Sequence, residues 1–154
     1  MLIKTKFFGE VDIDDSKVIT LPQGLLGFED MKHYTILYNT ETSSGDSISW
    51  FQSADEQALA MPVVNPLHVK ADYNPLVNDE LLAPLGEVGE EGYFVLVTMR
   101  VPKDPKEISC NLKAPIIINP KTMLGCQIIV ENEDYPIRYN VYDVVQELKA
   151  KAGE

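Results

Sequence analysis

"GYFVLVTMRV", residues 92–101, is the longest apolar strand that the sequence predicts. Valine, phenylalanine, tyrosine and threonine favour the pleated backbone, and neither glycine nor proline interrupts the run after Gly92. Shorter runs of similar composition flank it on both sides. We therefore predict that this stretch is the central strand of a mainly β domain.

The flanking runs predict a regular series of short strands separated by turn-forming residues. The expected strands cover residues 4–8, 10–13, 17–21, 34–38, 48–52, 108–112, 116–118 and 123–130, with turns at 42–46 and 119–121. Many short strands in succession are typical of an antiparallel barrel or a sandwich. The predicted fold class is a mainly β, single-domain, small antiparallel β-barrel (sandwich-like) with one or two short helices.

Helical signals are confined to two segments. Residues 53–59 form one candidate, because Ser53 can cap a first turn and Glu56 follows three positions later. The C-terminal tail, residues 141–152, is the other. Its apolar residues recur at helical spacing, its lysines lie toward the end, and a glycine follows as a stop: Val141, Val144, Val145, Leu148, Lys149, Lys151 and Gly153.

"NLKAPIIINP", residues 111–120, places three isoleucines between two prolines. Each proline lacks the amide donor that a ladder needs, so Pro115 and Pro120 are expected to limit pairing and protect a sheet edge. Asn111 and Lys113 would then stay available to a partner at the mouth of the strand. Replacing Asn111 with alanine would weaken binding with little loss of stability.

Bulk composition indicates a folded domain. The chain has 154 residues, of which 45% are hydrophobic and 24% charged, and this predicts one domain over residues 1–154. No apolar run approaches the ~20 residues of a membrane helix, and the first residues lack a secretory signal. Cys110 and Cys126 fit two small buried side chains in a reducing compartment. We expect a cytoplasmic protein that does not bind membranes.

Charge limits the possible partners. Twenty-four acidic residues against 13 basic ones leave a net charge of −11, which repels nucleic acid and anionic lipid and attracts basic proteins. The acids form two clusters: Glu80, Glu87, Glu90 and Glu91, and Glu131, Glu133 and Asp134. Each cluster is either a solvated loop or a docking surface for a basic partner.

No motif for catalysis or cofactor binding is found in the sequence. The glycines of residues 86–92 lack dinucleotide-binding spacing, and the glutamates there would repel phosphate. Residues 12–23 begin like a calcium loop, but Lys17 stands where that loop needs glycine. His33 and His68, the two histidines, have no second metal-type ligand at suitable spacing. We predict a protein that is not an enzyme and uses neither metal nor cofactor.

Two aromatic pairs have two interpretations. Phe7-Phe8 and Trp50-Phe51 could stack on nucleic-acid bases. Without a basic surface to hold the phosphates, we favour packing in the core.

Several glycine- and proline-containing motifs are more specific than ordinary packing requires. They are GLLGFE at 24–29, WFQSAD at 50–55, MPVVNP at 61–66, NLKAPIIIN at 111–119 and YPIR at 135–138. In this order and spacing the chain resembles the flagellar assembly factor FliW family over about residues 2–140. Leu26 is a departure, since the family often has proline there, and it changes the stiffness of that loop.

The resemblance implies a non-enzymatic binding protein built on a small antiparallel β-barrel. Family members bind CsrA, a small dimeric RNA-binding repressor of translation, and relieve its block on flagellin messenger RNA. They also bind flagellin, which displaces the regulator. The expected partners are therefore CsrA and flagellin, with no direct contact to nucleic acid, and the protein is expected to be a monomer.

Two other functions stay open beside this one. An acidic chaperone for flagellin or another export substrate would need no regulator. A small-ligand barrel or an enzyme with an unrecognised site would need a closed apolar pocket with converging polar groups.

Candidate contact residues lie at predicted strand ends and loops. The turn at residues 102–105 would place six of them on one rim: Met99, Arg100, Val101, Lys103, Asn111 and Lys113. Three acids, Glu87, Glu90 and Glu91, would supply the field that attracts a basic partner. In the 24–29 motif, Gly24 and Gly27 are expected to permit unusual backbone angles and Phe28 to fill a pocket.

Overall fold

Short β-strands dominate the computed structural model, which describes residues 1–37, 48–90 and 92–152 and, from residue 148 on, the backbone alone. In chain order they are β1 (Leu2–Lys4), β2 (Glu10–Asp12), β3 (Ile19–Thr20), β4 (His33–Leu37), β5 (Ser49–Ser53), β6 (Ala60–Val64), β7 (Phe94–Arg100), β8 (Ser109–Cys110), β9 (Ile116–Asn119), β10 (Leu124–Gln127) and β11 (Tyr139–Asn140). The α-helices are α1 (Pro66–Val69), α2 (Asp79–Leu82) and α3 (Tyr142–Ala152). The turn predicted at 42–46 lies outside the described residues.

Within that part of the chain, seven strands close into a barrel in the order β3-β4-β5-β6-β7-β9-β10. The ring closes where β10 meets β3 through one parallel pair, Leu124 opposite Thr20. The other pairings in the ring are antiparallel. β8 and β11 extend the sheet outward from β7, and β1 and β2 form a separate hairpin. The predicted mainly β barrel is confirmed.

β7 is the central strand, as residues 92–101 predict. Along one edge it pairs with β6 through Val97 and Thr98. Along the other edge it pairs first with β9, through Phe94–Leu96, and then with β8, through Met99 and Arg100. β7 therefore links the barrel to the outer strands.

The isoleucines of β9 are buried on both faces of the sheet. Ile116 and Ile118 belong to the apolar cluster inside the barrel with Phe51, whereas Ile117 packs outside it against Leu85. Successive side chains alternate across a strand, so three consecutive apolar residues are buried only where both faces are covered. Each such side chain contributes about 1.5–3 kcal/mol of burial free energy.

The prediction that Pro115 and Pro120 protect a sheet edge is wrong. β9 between them pairs with β10 on one side and β7 on the other, and all four of its residues are buried. Closure of the barrel removes the edge that the prolines were expected to guard. Pro115 instead directly precedes the first residue of β9, and its carbonyl accepts a hydrogen bond from the Ile128 N–H at 3.2 Å.

The C-terminal helix is confirmed. The Asn140 Oδ1 accepts a hydrogen bond from the Tyr142 N–H at 3.0 Å at its start. Val141 and Val145 are buried in a second apolar cluster, outside the barrel, that also contains Met99. The predicted stop at Gly153 and the side chains of Leu148, Lys149 and Lys151 lie outside the description.

The predicted helix at residues 53–59 is wrong. Ser53 ends β5, and its hydroxyl accepts hydrogen bonds from the N–H groups of Asp55 and Glu56, both at 3.0 Å. The chain turns back and enters β6 at Ala60. A serine that accepts from the residues two and three positions on closes a turn with the same bonds that would cap a helix.

Candidate partner-binding surfaces

An open cleft of about 160 Å³ lies at the C-terminal end of β7. Pairing between β7 and β8 sets Met99 opposite Cys110, and the Asn111 N–H donates to the Thr98 carbonyl at 2.9 Å. The structure thus brings together three of the predicted contact residues, Met99, Arg100 and Asn111, and adds Ile137 and Arg138 to the wall. We call this hollow the Arg100 cleft.

Exposure divides the residues at this end of β7. Val101 and Ile137 are 59% and 64% exposed, and the Arg100 and Lys103 side chains also reach solvent. Met99 is 7% exposed and packs into the outer apolar cluster instead. Arg100, Val101 and Ile137 are therefore exposed at this end of β7, whereas Met99 is buried; a contact with a partner stays a prediction for Met99, Arg100, Val101 and Lys103.

Asn111 and Lys113 use their polar atoms within the protein. The Asn111 Oδ1 accepts from the N–H groups of Lys113 at 3.0 Å and Ala114 at 3.1 Å. The Lys113 Nζ donates to the Asn132 carbonyl at 2.9 Å. These bonds fix the loop that leads into β9, and a contact with a partner stays a prediction for both residues.

The expectation that Asn111→Ala costs little stability does not hold. The substitution is expected to reduce the free energy of unfolding by about 1–2 kcal/mol, because the N–H groups of Lys113 and Ala114 lose their acceptor. In a chain of this length the melting temperature then falls by roughly 2–8 °C. Lys103→Ala, on the exposed loop nearby, is the control and should change it far less. Equal melting temperatures for Asn111→Ala and Lys103→Ala would show that Asn111 does not hold the loop.

Two of the predicted field-supplying acids, Glu87 and Glu90, lie toward the opposite end of β7. Glu87 and Glu90 are exposed on residues 86–90, here called the acid loop, and Glu91 lies outside the described residues. The Asn119 Nδ2 donates to the carbonyls of Leu85 and Glu87 at 3.0 and 3.1 Å, which anchors the start of the loop. The acid loop is thus held against the turn after β9.

Two separate surfaces follow from this arrangement. The acid loop precedes Phe94, the first residue of β7, and the Arg100 cleft begins at the last. The six steps between the seven residues of β7 span about 20 Å of extended strand. The Arg100 cleft and the described acids, Glu87 and Glu90, therefore lie toward the two ends of one strand.

Sequence reasoning missed a third exposed surface in the 24–29 motif. Leu25 is buried, whereas Leu26 and Phe28 are 51% and 44% exposed, so the prediction that Phe28 fills a pocket is wrong. The Phe28 N–H donates to the Leu25 carbonyl at 2.8 Å, and the Leu26 N–H donates to the Gln127 Oε1 at 2.9 Å. The two bonds turn both apolar side chains outward, and only the tight glycine spacing could have indicated this.

The aromatic pairs are divided between the core and the surface. Phe51 is fully buried and stacks on Tyr34 with ring centroids 4.7 Å apart, which confirms core packing for that residue. Phe7 is 52% exposed and lies against Trp50 at 4.4 Å. Packing in the core therefore does not hold for Phe7.

The thiols are poorly suited to nucleophilic chemistry. Burial raises the pKa of Cys110 to about 12 and that of Cys126 to about 11, so both stay protonated at neutral pH. In the described ranges, no three histidine, cysteine or acidic side chains gather into a group that could hold a metal ion. The helices described also include none with the length and apolar content to cross a membrane.

Comparison with known proteins identifies the family to which this chain belongs. A family model described as FliW protein matches residues 2–141. The chain belongs to the FliW family. The flagellar assembly factor FliW of Lachnoclostridium phytofermentans is 45% identical, with 100% of this chain and 99% of that protein covered. The flagellar assembly factor FliW of Thermotoga maritima is 34% identical, with 97% of this chain and 98% of that protein covered.

Structure comparison gives the same assignment. A crystal structure of the flagellar assembly factor FliW matches with a TM-score of 0.82 and 26% identity, covering 92% of this chain and 96% of that one. The resemblance drawn from the GLLGFE and NLKAPIIIN motifs is thus confirmed. FliW is a family of flagellar assembly factors and not a known enzyme family.

Proposed function

We propose that this protein acts in flagellar assembly by binding the translational regulator CsrA and relieving its repression of flagellin messenger RNA. Flagellin is the competing partner that displaces the regulator. The observation that carries the proposal is the match to flagellar assembly factors along the whole chain. The two partners come from the resemblance of the motifs to that family.

Electrostatics supports a basic partner. The net charge is −11, and Glu87 and Glu90 point into solvent at one end of β7. An RNA-binding regulator must present a basic face, which this field attracts over a Debye length of about 8–10 Å. The same field repels the RNA that the regulator carries.

Competition between two partners then works as a switch through mass action. Flagellin at about tenfold its dissociation constant lowers the apparent affinity for the regulator by about tenfold, or roughly 1.4 kcal/mol. Such competition requires only that the binding sites for the two partners overlap or are coupled.

An acidic chaperone for flagellin or another export substrate is the second candidate, favoured by the exposed Leu26 and Phe28. Apolar side chains held outward on a fixed loop suit the capture of an apolar segment. A pull-down from a flagellated bacterium separates the two functions. Recovery of CsrA beside flagellin supports the switch, and recovery of flagellin alone supports the chaperone.

Raising the salt concentration from about 50 to about 500 mM is expected to slow association with CsrA far more than dissociation. Replacing Glu87, Glu90 and Glu91 with glutamine should flatten that dependence. The control makes the same charge change in the other acidic cluster, with Glu131→Gln, Glu133→Gln and Asp134→Asn. The association rates are measured by stopped flow. Rates that change neither with the salt concentration nor with the acid-loop substitutions would contradict the electrostatic part of the mechanism.

A further inference from the structure

A pocket of about 190 Å³ lies between α1 and the start of β7, and aromatic rings and prolines form its walls. Phe94 is the first residue of β7, and Tyr93 directly precedes it. Pro66 comes from α1, and Tyr73 and Pro75 come from the loop between α1 and α2. Its volume suits one large side chain rather than a cofactor, since small-molecule sites usually reach about 300–1,000 Å³.

The tyrosine wall of this pocket is rigid. The Tyr73 hydroxyl donates to the Leu112 carbonyl at 2.8 Å, and its ring stacks on Tyr135 with centroids 4.8 Å apart. The Tyr135 hydroxyl in turn accepts from the Asn74 N–H at 2.7 Å. Tyr73 is buried, so its ring cannot swing out of the wall.

The proline wall is fixed by a second set of bonds. The Asn132 Oδ1 accepts from the Leu76 N–H at 2.6 Å, and its Nδ2 donates to the Asn74 carbonyl at 3.1 Å. Pro75 lies between these two anchored residues. Because the pocket is already formed, little conformational entropy is lost when a partner binds.

The acid loop comes shortly before the aromatic wall in the sequence. The Gly92 N–H donates to the Gly89 carbonyl at 3.1 Å, closing a turn that carries Glu90, and Tyr93 follows at once. Phe94, which is 37% exposed, also lines the pocket. The pocket lining carries no charge of its own, and the net charge of −11 of the whole protein favours a basic occupant.

We propose that this aromatic pocket receives one arginine or lysine side chain of the basic partner that the acid loop attracts. The inference rests on the proposed function, which supplies CsrA as that partner. Aromatic faces attract cations, and arginine against aromatic rings is common where binding energy concentrates. The aliphatic stem of the side chain packs on the prolines while its charge lies over the rings.

The test compares Phe94→Leu with Phe94→Trp, titrated calorimetrically with purified CsrA. Leucine keeps an apolar surface without a ring, so affinity should fall about fivefold, whereas tryptophan should bind at least as tightly as the parent. Tyr93→Leu is the second variant and should weaken binding likewise. Phe7→Leu, at an exposed aromatic residue of the N-terminal segment, is the control and should bind unchanged.

Each outcome decides the proposal, provided that the melting temperatures of the variants stay close to that of the parent. Loss with Phe94→Leu and retention with Phe94→Trp support a cation in the pocket. Unchanged binding by Phe94→Leu and Tyr93→Leu, or equal losses with leucine and tryptophan at position 94, overturns it while the proposed function stands. No binding of CsrA by the parent protein overturns both.

Discussion

Gly24→Ala is expected to reduce the free energy of unfolding by about 3 kcal/mol or more. Gly24 has a φ of +67°, where an L-residue is disfavoured by roughly 1–2 kcal/mol. A Cβ there would also lie 2.5 Å from the Phe28 carbonyl oxygen and 2.6 Å from the Glu29 Cα. Both atoms belong to the backbone, so the strain cannot be relieved by a side-chain rotation.

The measurement is thermal unfolding, where such a loss lowers the melting temperature by roughly 6–12 °C. Gly27→Ala is the matched control, since Gly27 has a φ of +90° in the same loop but a Cβ there meets nothing within 4 Å. Gly27→Ala should therefore lose only the roughly 1–2 kcal/mol that an L-residue costs at a positive φ. Equal melting of the two variants would contradict the close approach of Gly24 to Phe28.

Asn119→Ala is expected to reduce the free energy of unfolding by about 2–4 kcal/mol. The side chain is fully buried, its Nδ2 donates to the Leu85 and Glu87 carbonyls, and its Oδ1 accepts from the Lys121 N–H at 2.9 Å. Alanine removes the partner of the Glu87 carbonyl and of the Lys121 N–H, each at a cost of about 1–3 kcal/mol before relaxation, while the Leu85 carbonyl keeps the Thr122 hydroxyl at 2.8 Å. The acid loop should also lose its anchor.

Chemical denaturation measures the first effect, and hydrogen exchange of the acid loop measures the second. Asn78→Ala is the control, because Asn78 is exposed and its Oδ1 only caps α2 by accepting from the Glu80 N–H. Loss of such a cap typically costs about 1 kcal/mol. Similar losses in the two variants would show that Asn119 does not tie the loop to the barrel.

Local composition was sufficient to predict the strongest strands. Residues 93–99 and the isoleucines at 116–118 are aromatic, β-branched or apolar throughout, so burial and backbone preference favour the same structure. β6 was missed because Pro62 lies in its interior. Pairing of β6 with β7 begins only at Val63, so the donor that Pro62 lacks is not required by that neighbour.

Barrel closure could not be predicted from the sequence in this way. It depends on β10 meeting β3 and β9 meeting β7, and both contacts join segments distant in sequence. Without these contacts, the prolines around β9 predict an unpaired edge that the structure does not have. The seven-residue signal from Ser53 to Leu59 failed for another reason, since serine caps turns and helices with the same bonds.

The candidate surfaces were predicted in part. The turn after β7 does bring Met99, Arg100 and Asn111 to one cleft, as expected from the spacing. Side-chain direction was not accessible, so the burial of Met99 and the exposure of Phe28 were both missed. The aromatic pocket joins residues 66, 73, 75, 93 and 94, which no local pattern brings together.

Titration of the purified protein with CsrA and flagellin, singly and together, tests the central claim most directly. CsrA is expected to bind on its own, and flagellin at about tenfold its dissociation constant should weaken that binding about tenfold. Absence of CsrA binding even at low salt would contradict the proposed function. So would an affinity for CsrA that saturating flagellin leaves unchanged.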